Sequence, residues 1–176
     1  MFASTFRQLV YVRYIQICTV LMVVLLLSLA ACNRGQQDQA PKPKTLTAAD
    51  LQKLHWIEGS WRGTGVNQPP FFERYRFEND TTLAVDHLED ETLAKVTETG
   101  RYELKNGEFR SGSGSRGYVA TALDDSSITF ESLSVRSKFI WKRESKDSWT
   151  AHLSWLASGD KPAGERTYKM ERWPKQ

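Results

Sequence analysis

Cysteine is nearly absent from this chain of 176 residues. Only Cys18 and Cys32 are present, and Cys18 lies inside an apolar run near the N-terminus. The remainder therefore holds no cysteine pair, which excludes an internal disulfide and a cysteine metal site. Histidine is scarce too: His55, His87 and His152 share no ligand motif, so no metal is expected. Charge of one sign is also missing. Residues 1–31 hold Arg7 and Arg13 and no acid, so 24 − 2 = 22 basic side chains face 21 acidic ones elsewhere, leaving +1 of the overall +3. That balance excludes the basic face that nucleic-acid binding needs. No serine sits in a nucleophile elbow, and no lysine-serine pair opens a helix after Ser111-Gly112-Ser113-Gly114-Ser115, which reads as a rim loop and not a phosphate cradle. No catalytic residue, enzymatic activity or cofactor is expected.

What is present begins with an address. Arg7 and Arg13 precede an uncharged apolar run from Ile15 to Ala31, the pattern of a secretory signal. The run is also long enough to be an uncleaved anchor, since ~17 residues suffice to span a bilayer. Its ending, Leu29-Ala30-Ala31-Cys32, resembles the lipobox of bacterial lipoproteins. The resemblance implies that residues 1–31 are a signal peptide and that Cys32 is acylated as the first residue of the mature chain. Several acyl chains hold firmly where one is marginal. Asn33, in place of aspartate after the cysteine, implies outer membrane facing the periplasm in a Gram-negative cell.

Residues 32–45 read as the lipidated cysteine and a linker, because Asn33 to Lys44 has no large apolar residue and Pro41 and Pro43 favour extended backbone. The domain then spans 46–176. Thr47 with Asp50 three residues later has capping-box spacing, predicting a helix of about two turns that ends near His55. From Gly59 the periodicity becomes two. Phe71, Glu73, Tyr75 and Phe77 share one face of a strand, and Leu83, Val85 and His87 share another. A strand over Thr92–Lys105 carries Gly100 as a bulge or kink. Asn106-Gly107 predicts a tight hairpin, and Asp124 to Ser127 predicts a turn. Phe139 and Trp141, then Trp149, Ala151, Leu153 and Trp155, then Tyr168 and Met170 mark the inward faces of the last three strands. The fold class is all-β: an antiparallel up-and-down β-barrel of about 8–10 strands with one short N-terminal helix. Closure removes exposed edges.

Gly59-Ser60-Trp61, a G-x-W leading into the first strand after a short helix, is similar to the lipocalins and the wider calycin superfamily. The resemblance implies that Trp61 closes one barrel end and that an arginine of the last strand stacks on it. Arg172 has the inward parity for that role, and Arg166 is the fallback. Leu54-x-Trp56-Ile57-x-Gly59-x-Trp61 also resembles lipocalin-like domains of exported bacterial proteins. Gly59-x-Trp61-x-Gly63-x-Gly65 is similar to the ten-stranded haem-binding nitrobindins, but this chain has no histidine after His152 to act as their proximal ligand, and no haem is expected.

Glu73, Tyr75, His87 and Trp141 are the candidate ligand-binding residues. Glu73 falls inward between Phe71 and Tyr75, where an unpaired carboxylate would be costly. It either orients a ligand or pairs with a basic side chain near the mouth. His87 either donates to a ligand or is hydrogen-bonded in a core. The six tryptophans either line a pocket or fill the interior. Two non-enzymatic readings follow. One is a lipid-anchored barrel carrying a small, mostly apolar ligand; the other is a filled-core module docking a cell-envelope protein. A third, catalytic reading would require Glu73 and His87 to converge in one open pocket.

Overall fold

The computed structural model describes residues 40–112, 114 and 116–174. The signal segment 1–31, Cys32 and the linker as far as residue 39 lie outside the described residues, as do Ser113 and Ser115. Ala40–Gln176 forms one compact unit. After helix α1 (Ala48–Leu51) and a 3-10 turn (Gln52–Ile57) come ten strands. They are β1 (Gly59–Gly65), β2 (Phe71–Asn79), β3 (Thr82–Leu88), β4 (Val96–Lys105), β5 (Glu108–Ser111), β6 (Tyr118–Leu123), β7 (Ser127–Ser132), β8 (Ser137–Arg143), β9 (Ser148–Trp155) and β10 (Gly164–Arg172). Each strand pairs antiparallel with its neighbours in sequence, and β1 pairs with β10 to close the barrel.

The capping box forms: the Thr47 amide donates to Asp50 Oδ2 at 2.9 Å and the Asp50 amide to Thr47 Oγ1 at 3.3 Å. The helix differs from the two α-turns expected. It makes one α-turn and then tightens into a 3-10 geometry that runs past His55 to Ile57. The sequence spacing explains this. A helix of three residues per turn stacks Leu51, Leu54 and Ile57 on one face, and all three are fully buried against the barrel floor. β4 also differs. It starts at Val96, because Asp90 accepts hydrogen bonds from the Thr92 amide and hydroxyl and holds that segment as a turn. Gly100 is neither bulge nor kink. It pairs directly with Val85, and the irregularity falls instead between His87 and Leu88. Asn106 and Gly107 both take positive φ, as a two-residue hairpin turn requires.

The β5–β6 seam is short, with only Arg110–Val119 and Ser111–Tyr118 paired. Residues just before the helix supply the missing bonds. The Lys44 amide donates to the Ala120 carbonyl at 2.9 Å, Lys44 Nζ to the Leu123 carbonyl at 3.1 Å, and the Leu46 amide to the Gly107 carbonyl at 2.8 Å. Lys44, the last residue of the expected linker, is thus fastened to the barrel wall. The meander puts the helix and the β2–β3, β4–β5, β6–β7 and β8–β9 turns at one end. The loops after β1, β3, β5, β7 and β9 lie at the other end, the mouth.

Candidate functional site

The helix end is plugged. Trp61 is buried, its indole N–H donating to the Ile57 carbonyl at 2.6 Å. Arg172, its register partner on β10, lies over the ring at 3.8 Å from the centroid and donates to the carbonyls of Glu58 and Lys146. Burial pushes the Arg172 guanidinium down from its ordinary pKa, with Asp147 opposing. Gly59 takes φ +112, and a Cβ there would overlap Arg172 Nη1, so the glycine of the G-x-W is needed for conformation and for clearance. Arg166, the fallback, instead donates to the Tyr168 hydroxyl near the mouth. Trp149 packs edge-on against Trp61, Tyr75 and Trp141, completing the floor.

Above the floor stands the polar cluster. Alternation on β2 turns Phe71, Glu73 and Tyr75 inward, and β3 turns Leu83, Val85 and His87 inward. The β2–β3 register sets Glu73 directly opposite His87. Glu73 is only 13% exposed, and both carboxylate oxygens are used. Tyr75 donates its hydroxyl to Oε2 at 2.6 Å, and His87 Nδ1 sits 3.2 Å from Oε1. Two such partners offset the cost of burying a carboxylate. The basic partner foreseen for Glu73 is therefore His87, and Glu73 keeps the inward parity expected of it. Glu73 raises the pKa of His87 by accepting its hydrogen bond, with burial opposing. Burial, then the adjacent Glu73 charge, pushes the Tyr75 hydroxyl well above its ordinary value. His87 remains 47% exposed, so the cluster opens toward solvent on one side only. Among the described residues no group of three or more metal-ligating side chains occurs.

Trp141 is brought to the same cluster, its ring 5.6 Å from Tyr75 and 5.1 Å from Tyr102. β8, which carries Trp141, is four strands from β2 one way round and six the other, and likewise from β4. Rings from nearly opposite walls therefore meet in the middle, and Phe109, Phe130 and Phe139 continue the stack. At this level the interior is filled by rings. Toward the mouth, Phe71, Glu73, Tyr118, Leu153 and Tyr168 are only partly buried and His87 is about half exposed. The Tyr118 hydroxyl and Ser137 Oγ, 3.1 Å apart, add a polar pair there.

Two determinants were not singled out from sequence. Tyr102 joins the ring stack, and its position two residues before Leu104 on one strand face was the available signal. Gly63 lies beneath Phe71, whose ring occupies the space a Cβ would need. The spacing Gly63-x-Gly65 marked it as unusual, but the partner ring is only known once the β1–β2 register is. Comparison with other proteins adds little. Neither protein-family models nor curated sequences match the chain. A solved structure described as "Structure of EF1p2_mFAP2b bound to DFHBI" is similar with a TM-score of 0.36 and 9% identity, over 68% of this chain and 96% of that one.

Proposed function

We propose that the chain is a lipid-anchored barrel, tethered through Cys32 in the outer membrane and facing the periplasm, that binds a small, mostly apolar ligand at its mouth. The lipobox resemblance supports the anchor. The observation that carries the binding reading is the Glu73–Tyr75–His87 cluster. It is a fully paired polar group set on an aromatic wall, with a half-exposed imidazole whose Nε2 is left to meet an acceptor on the ligand. A few polar groups converging on an apolar surface is how small-ligand sites fix orientation. The role is non-enzymatic. Glu73 and His87 do converge, but both Glu73 oxygens are engaged, by Tyr75 and His87, and we read the pair as a fixed group that orients a ligand. Native mass spectrometry of the full chain from mild detergent, with titration of a fluorescent fatty acid, tests the reading. Expected are a bound mass and a probe signal that Glu73→Gln or His87→Ala weakens several-fold. A chain that carries nothing and leaves the probe unchanged would sink it.

The ring-filled interior favours a second reading, in which the barrel is a core-packed module that docks a cell-envelope protein. In-cell crosslinking that recovers one stoichiometric protein, together with no probe binding, would select that reading over ligand carriage.

A further inference from the structure

Large apolar side chains exposed among the described residues are few, and their placement is uneven. Val66 is 83% exposed, Val135 58%, Leu156 55% and Val96 43%. All four lie at the mouth end, and none lies on the turns of the helix end. The first three occupy the β1–β2, β7–β8 and β9–β10 loops. Around the closed sheet the strand order runs β2, β1, β10, β9, β8, β7, so these three loops are consecutive and form one half of the rim. Scattered exposed apolar residues need no explanation, but one in each of three adjoining loops, Val66 and Leu156 directly after β1 and β9 and Val135 between β7 and β8, forms a patterned surface.

Charge divides the rim in the same way. On the apolar half, residues 133–138 and 156–166 hold Arg136, Lys138, Lys161 and Arg166 against Asp160 and Glu165, leaving +2, and residues 66–70 hold no charge. On the β3–β4 side, residues 89–98 hold Glu89, Asp90, Glu91 and Glu98 against Lys95, leaving −3. An anionic surface would attract the first half and repel the second.

The chain before the helix limits how far the domain stands from Cys32. The Leu46 amide is held at Gly107, in the β4–β5 turn of the helix end, whereas Lys44 is held at Ala120, two residues from the mouth end of β6. From Leu46 back to Lys44 the backbone therefore runs from the plugged end along the wall, while the Lys44 side chain reaches Leu123 at the plugged end of β6. Eleven residues lie between Cys32 and Lys44, a span of twelve Cα–Cα steps. Extended, they reach about 40 Å.

We propose that this half of the mouth docks on an anionic phospholipid bilayer, with Val66, Val135 and Leu156 entering the boundary between headgroups and acyl chains. The inference rests on the anchored, ligand-binding reading above. It deepens that reading by naming the bilayer as the place where the apolar ligand is exchanged, because the docked surface borders the opening beside Phe71 and Tyr168. Apolar side chains flanked by cations are what an interfacial contact uses.

The test is hydrogen–deuterium exchange on the full chain reconstituted in vesicles of phosphatidylethanolamine and phosphatidylglycerol. The wild-type chain is compared with a Val66→Ser, Val135→Ser, Leu156→Ser variant in the same vesicles. Expected is exchange slower by about fivefold or more at residues 66–70, 133–136 and 156–163 in the wild type, with residues 124–126 and 144–147 alike in both. The protection should weaken in phosphatidylcholine vesicles. The variant should keep the thermal midpoint and the fatty-acid probe binding of the wild type, so that loss of docking is separable from loss of the site. Equal exchange in the two chains overturns the docking inference and leaves the binding reading standing. Protection seen in cell envelopes but not in vesicles assigns the surface to a protein and also overturns it. A chain that does not associate with vesicles removes the anchor and the docking together.

Discussion

At the helix end, Trp61, Trp149, Leu54 and Ile57 are almost wholly withdrawn from water, and Arg172 is held between an indole face and two backbone carbonyls. At the mouth, His87 keeps about half its surface, and its only bonded side-chain partner among the described residues is Glu73. Both ends hold a basic side chain against a defined partner, yet the two side chains do different work. Arg172 is fixed by the Trp61 ring and two backbone carbonyls and ties β10 back to the segment that leads into β1. His87 is fixed on one side and free on the other. The difference teaches that rigidity and availability have been separated along the barrel axis, with the ring stack through Trp141 as the divider.

The comparison breaks most visibly at the floor. Trp61→Ala should cost about 3–5 kcal/mol, because it removes a buried indole and leaves Arg172 without its stacking face. Urea unfolding with the slope held constant is the measurement. A loss below about 1 kcal/mol would mean that the plug does not organise the barrel. Gly59→Ala tests the same end at smaller scale. The new methyl meets Arg172 Nη1 at a φ of +112, and the expected loss is about 1–3 kcal/mol. Gly114→Ala should cost less, because its φ of +62 lies in the left-handed region an alanine can adopt and nothing crowds the new methyl.

The same axis separates what could be read in the sequence from what could not. The plug was legible because each feature is local or has a fixed parity. The G-x-W is contiguous, and the resemblance to the calycins implied an arginine of the last strand stacked on Trp61; the inward alternation shared with Tyr168 and Met170 only picked out Arg172 for that place. The inward placement of Glu73 and His87 was equally legible from period two. Their mutual bond was not, because it depends on the β2–β3 register, which the hairpin turn at Asn79–Thr82 sets with a bulge between Phe77 and Asn79. Register also hid the contact of Gly63 with Phe71. Gly100 misled for a related reason. A glycine in a strand suggests a bulge, but the break in pairing was placed at the β3 end beside the Asp90 turn. The 3-10 continuation was hidden because Leu51 and Leu54 at spacing three suit either helix type, and only burial of Ile57 decides between them.

The smallest expected effect is at the mouth, and it carries a sign. The Glu73 carboxylate raises the folded-state pKa of His87 above its ordinary 6.5. A group whose pKa is raised on folding contributes stability that is fully present below the unfolded value and is lost as pH rises through the folded value. Between about pH 6 and pH 9 the wild type should therefore lose stability that Glu73→Gln does not lose. For an imidazole this exposed the difference should be under about 1 kcal/mol. Carboxylates and lysines elsewhere titrate in both chains, so the quantity to follow is the difference between the two stability curves, with the His87 ring titrated in parallel by NMR. In Glu73→Gln the His87 titration should fall back toward the ordinary value. Parallel stability curves with an unmoved His87 would mean that Glu73 does not hold His87 in solution. The two ends of the barrel would then differ in exposure alone and not in how each basic side chain is held.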